Sequence, residues 1–77
     1  MERKFAVSYA YGLNHAIERV LRDHPEEIAE FKRGDASAVA VISGAAHRDL
    51  ETNGFLGPFA AVRDRVELLM TCRYLMN

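Results

Sequence analysis

Breakers of regular structure limit what this chain can become. "DHPEE" sets Pro25 behind His24, "KRGDA" sets Gly34 among charges, and "TNGFLGP" crowds Asn53-Gly54 and Gly57-Pro58 into one short stretch. A residue before proline is pushed out of helical geometry, and glycine is the usual left-handed stop just past a helix. The chain is thereby cut into four segments, none with room for more than one helix.

The first segment predicts a helix over Lys4 to Asp23. Ala6, Tyr9, Ala10, Leu13, Ala16, Ile17, Val20 and Leu21 recur at the three-and-four spacing of one buried face. Ser8, Asn14, His15, Glu18, Arg19 and Arg22 fall on the other side. Gly12 costs roughly 1 kcal/mol relative to Ala there and suggests a close helix crossing. The opening "KFAVSY" alternates weakly and could start extended.

Pro25 suits the first position of a second helix, where its missing N–H costs nothing. Glu26 and Glu27 then meet the positive end of the helix dipole, and Lys32 and Arg33 the negative end, before Gly34 stops it. Asp35 reads as the N-cap of a third helix, Ala36 to about Leu50. Its β-branched Val39, Val41 and Ile42 would also suit a buried strand, so Val39 to Ile42 admits either form; the cap signals and many alanines favour helix. Ala38, Ser43, Gly44, Ala45 and Ala46 are small enough to admit another backbone. Asn53-Gly54 is turn chemistry. Pro58 opens a last helix to about Leu75, with Phe59, Val62, Val66, Leu69 and Cys72 as its stripe, widened by Ala61, Leu68 and Leu75.

The expectation is an all-α, compact four-helix domain with short connections, occupying residues 1–77 as one unit. Hydrophobic residues make up 49% of the 77 residues and charged residues 27%, a balance that folds rather than stays disordered. A chain this short is marginal for a single core, so its apolar surplus points to burial against a partner, of which a homodimer is the simplest. Net charge is −1, without the basic surplus of a nucleic-acid binder. One cysteine allows no internal disulfide. The N-terminus lacks the apolar stretch and cleavage site of a secretory signal, and no run approaches a membrane span. The expected location is cytoplasmic.

Phe31-x-x-Gly34, Gly44 ten residues later, and Gly54 followed four residues on by Pro58 form a further pattern. With Pro25 ahead of it, the stretch from about Ala16 to Leu69 resembles the helical tail domain shared by the B subunit of tRNA-dependent amidotransferases and small YqeY-like proteins. The chain departs from that pattern at His24, where the family has Asn, and at Asp35, where it has Lys. Ala45-Ala46-His47-Arg48 replaces Gln-x-Met-Lys. The resemblance implies an all-helical fold and a tRNA- or RNA-binding module.

Candidate site residues fall into two groups. Lys32, Arg33, His47 and Arg48 could form a basic patch for phosphate or an acidic partner, or simply complement helix dipoles. Tyr11 lies off the apolar stripe and Phe55 sits in a glycine-flanked loop; exposed aromatics of this kind are enriched at protein interfaces. His15 and Glu18 share a face, but no third ligand joins them, and no metal or other cofactor is expected. Ser43, His47 and Asp49 have the residue types of a hydrolase triad without its setting. Cys72 reads as a small buried hydrophobe. The function expected is a non-enzymatic helical protein that binds and regulates, or inhibits, a larger protein. An RNA-binding module is the alternative.

Overall fold

The computed structural model describes the backbone of residues 2–55 and 57–76, and their side chains from residue 11 onward. Four helices follow in order: α1 (Glu2–Arg22), α2 (Pro25–Lys32), α3 (Ser37–Thr52) and α4 (Phe59–Met70). One π-helical turn, Thr71–Leu75, closes the chain. The described residues contain no strand, and Val39 to Ile42 lies inside α3. The all-α four-helix domain expected from the breakers is the fold observed.

The breakers act as their chemistry requires. Gly34 takes φ +98° and Gly54 φ +91°, a region that side chains avoid. At the end of α2 the Gly34 N–H donates to Phe31 O and the Asp35 N–H to Glu30 O, each at 3.0 Å. This paired closure is a Schellman motif, which satisfies carbonyls that the helix end leaves open. Asp35 is not itself the N-cap; Ala36 holds that position and α3 begins at Ser37. The carboxylate still serves the helix start, since Oδ1 accepts from the Ser37 N–H at 3.0 Å and from its hydroxyl at 2.6 Å.

α3 is the central element and packs against each of the other three helices. Ile17, Ile42, Val62, Val66 and Met70 are fully enclosed, with Leu13, Ala16, Val20, Leu21, Phe31, Val39 and Leu50 around them. Burying each large aliphatic side chain contributes about 1.5–3 kcal/mol before entropy is counted. The α1 stripe is therefore as expected from Leu13 to Leu21, while Ala6, Tyr9 and Ala10 lie where only backbone is described.

The small residues behave differently from expectation. Ala38, Ser43 and Ala46 are buried. A Cβ on Gly44, however, would meet only Arg48 Nη1 at 3.7 Å, and one on Gly12 would meet nothing within 4 Å. Neither glycine marks a close crossing.

The last helix also departs from its expected stripe. Val62 and Val66 are buried, but Phe59, Leu68 and Leu75 are exposed, and so is Cys72. Each three-residue step along a helix falls about 60° short of a full turn, so the series Val66, Leu69, Cys72 rotates away from the core. Met70 takes the buried position instead. The wider π turn then follows, closed by the Met76 N–H on Thr71 O.

Candidate functional site

A second Schellman motif ends α3. The Gly54 N–H donates to Glu51 O and the Phe55 N–H to Leu50 O, each at 3.0 Å. This closure folds the residue after the glycine back over the last turn of the helix. Phe55 accordingly packs against the core that includes Leu50. Asn53 seals the same turn, its Nδ2 donating to Asp49 O at 2.8 Å.

The Phe55 ring lies over Gly57. A Cβ at Gly57 would come within 3.0 Å of three atoms of that ring, so only glycine leaves it in place. His47 holds the same loop from α3. Its Nε2 lies 3.3 Å from Gly57 O, and its ring meets Phe55 and Phe59 edge-on at 6.5 and 5.6 Å. Its Nδ1 lies 3.7 Å from a Glu51 carboxylate oxygen.

Opposite Phe55 stands a ridge of α1. Tyr11, His15 and Arg19 follow at four-residue spacing and point the same way. Tyr11 is 66% exposed, the most open of the large apolar side chains described, and its ring meets His15 edge-on at 4.2 Å. Between this ridge and the Leu50–Phe55 turn lies an open groove of about 380 Å³. Leu13 and Leu50, both buried, form its floor.

Arg19 fixes the register of the two walls. Its Nη2 donates to Asp49 Oδ1 at 2.6 Å and its Nε to Oδ2 at 3.3 Å. Arg19 bonds to Asp49, while Tyr11 and Gly12, about two turns earlier on α1, line the same groove as Gly54 and Phe55, just past the end of α3, so α1 and α3 run antiparallel. The groove thus has aromatic rings at one end and the Arg19–Asp49 ion pair at the other. The guanidinium bond holds the Asp49 carboxyl below its ordinary pKa and raises that of Arg19.

The two aromatics singled out in the sequence therefore share one site, but the basic residues do not. Lys32 and Arg33 end α2 beside the start of α3, whereas His47 lies ten residues into α3, about 15 Å further on. Lys32 Nζ sits 5.3 Å from the centre of the Tyr74 ring, and His47 is turned to the loop. Arg33 and Arg48 remain exposed and apart.

The other chemical candidates are also engaged elsewhere. Glu18 makes a two-pronged ion pair with Arg73, Nη1 to Oε1 at 2.8 Å and Nη2 to Oε2, which lowers the Glu18 pKa. Among the described residues, no group of three or more His, Cys, Asp or Glu could hold a metal ion. Ser43 is fully buried, with no hydrogen-bond partner for its hydroxyl, and Asp49 is held by Arg19, so these two and His47 form no relay. No helix among the described residues is long and apolar enough to cross a membrane.

What sequence reasoning missed is the role of Leu13, Leu50 and Arg19 beside the aromatics. The signal for half of it is present: Leu50-x-x-x-Gly54-Phe55 is a helix-ending motif that carries its own apolar contact. Comparison with known proteins found no matching family model, no similar curated protein and no similar solved structure. The likeness to the amidotransferase tail and YqeY-like domains rests on the residues quoted for it.

Proposed function

We propose that this is a small helical protein that binds and regulates a larger protein through the groove between α1 and the end of α3. One observation carries the reading. Tyr11, 66% exposed, faces Phe55 across a groove with an apolar floor. An aromatic held open on a rigid helix costs little entropy to use at an interface. The second wall is equally fixed, by a Schellman closure, by Gly57 and by His47. Such preorganisation favours binding because little is left to order on association.

The alternative, an RNA-binding module, would draw on Lys32, Arg33, His47 and Arg48. Their dispersal over the two ends of α3 and the engagement of Lys32 with Tyr74 weigh against it. Phosphate binding depends on several cations acting together.

The test is retention from cell extract at low and high salt by the native protein and by the double variant Tyr11→Ala, Phe55→Ala. A protein held by the native chain at high salt and lost with the double variant supports the reading. RNA held at low salt, released at high salt and indifferent to the double variant overturns it. Light scattering of the complex tells whether the bound protein is a second copy of this chain.

A further inference from the structure

We infer that His47 is a proton-operated clamp: charging its ring ties Gly57 to α3 and so steadies the Phe55 wall of the groove. The clamp itself needs nothing bound in the groove; its effect on a partner rests on the docking reading above. The argument is one of donors and acceptors. Both ring nitrogens face an acceptor, Nε2 at 3.3 Å from Gly57 O and Nδ1 at 3.7 Å from Glu51 Oε1. A neutral imidazole has one N–H and one lone pair, whereas an imidazolium has two N–H donors. Glu51 stays beside Nδ1 whether or not Gly57 is in place, since both belong to α3. It draws the single proton of a neutral ring to Nδ1, which turns the Nε2 lone pair on the Gly57 carbonyl. The charged ring offers an N–H to both sides, and a charged donor makes the stronger bond.

The setting makes this difference count. The His47 side chain is 20% exposed, so water does little to replace a missing partner. Gly57 carries the Phe55 ring in close contact, so holding its carbonyl holds Phe55. Burial alone disfavours the charged ring; the carboxylate and the carbonyl favour it. The other charged groups nearby are engaged elsewhere or set apart. On α3, Asp49 is bound to Arg19 of α1, and Arg48 lies beside Gly44. On α4, Arg63 and Asp64, a turn beyond Phe59, pair with each other at 3.6 Å. On α1, His15 lines the wall opposite Phe55. Residues 53–58 contain no titratable side chain.

Hydrogen exchange of the Phe55 amide, which bonds to Leu50 O, is the experiment. The Asp35 amide closes the equivalent motif on α2 and serves as the internal control. Corrected for the intrinsic pH dependence of exchange, Phe55 protection is expected to rise about fivefold from pH 7.5 to pH 5.5, the size that a partly exposed charged contact allows. That window spans the charging of an ordinary imidazole. Asp35 protection stays level, and His47→Gln abolishes the rise. Glu51→Gln holds Phe55 nearly equally at both pH values, because its amide can donate to Nδ1 and leave the proton of a neutral ring on Nε2 for Gly57. Glu51 is the more exposed partner, at 57%, so this variant carries the test if His47→Gln loses its helical spectrum. No rise, or loosening at pH 5.5, overturns the clamp. So does a rise that Asp35 shares, that survives His47→Gln or that is undiminished in Glu51→Gln. No partner enters the measurement, so the docking reading stands or falls by its own test.

Discussion

At the scale of single residues, Gly57 and Ser43 make opposite demands. Gly57 leaves space for the Phe55 ring, so Gly57→Ala drives that ring off the Leu50 turn. Gly57→Ala is expected to weaken partner binding roughly tenfold, comparable to loss of an interface aromatic. A titration showing native affinity in Gly57→Ala would remove Phe55 from the site. Ser43 buries a hydroxyl with no partner, a group that costs about 1–3 kcal/mol to desolvate. Ser43→Ala removes that cost and nearly keeps the shape. Its thermal midpoint is expected to rise by several degrees, about 4–8 °C per kcal/mol in a domain this size. A fall in the midpoint would mean that the hydroxyl is satisfied.

At the scale of elements, the helix ends were the most legible part of the chain, because their chemistry is local. Pro25, Gly34 and Gly54 act within four or five residues, and each stops or starts a helix where expected. The Leu13 to Leu21 face was legible for the same reason, since a regular helix converts spacing directly into direction. Cys72 was not, because the direction of its side chain depends on α4 turning Met70 to the core and then widening into a π turn. Thiol labelling separates the two descriptions. Cys72 is exposed, so it is expected to react with a thiol reagent in the native state at nearly the rate seen in denaturant, after allowing for its thiolate fraction. Strong protection would return it to the core. The groove was half legible: Tyr11 and Phe55 stand out as aromatics away from the stripe, but their meeting depends on the antiparallel register that Arg19 and Asp49 set across 30 residues of sequence.

At the scale of the whole molecule, neighbouring residues of α1 tie down different parts of the fold. Glu18 reaches Arg73 in the final turn, and Arg19 reaches Asp49 on α3. Lys32 meets Tyr74 from α2, so the C-terminal turn is held by α1 on one side and α2 on the other. Both carboxyls lie below their ordinary pKa, each chiefly through its arginine hydrogen bond. A depressed carboxyl stabilises the fold above its unfolded value, about 4, and loses that contribution as pH falls through the lower folded value. Both pairs are substantially open to solvent, with side-chain exposures of 48% and 27% in one and 44% and 39% in the other. Screening by solvent therefore keeps the contribution of each small. The thermal midpoint should fall between pH 6 and pH 2 by more in the native protein than in Arg19→Gln, Arg73→Gln, where neither carboxyl has its guanidinium. Adding about 1 M salt at pH 6 should narrow the gap between the two, since it screens the same pairs. Equal acid-induced loss in both proteins would show that other carboxylates govern the fall, and that the two ion pairs orient the helices without adding stability. In that case Arg19→Gln could still disturb the groove, because the register between Tyr11 and Phe55 depends on the direction of the Arg19–Asp49 bond rather than on its strength.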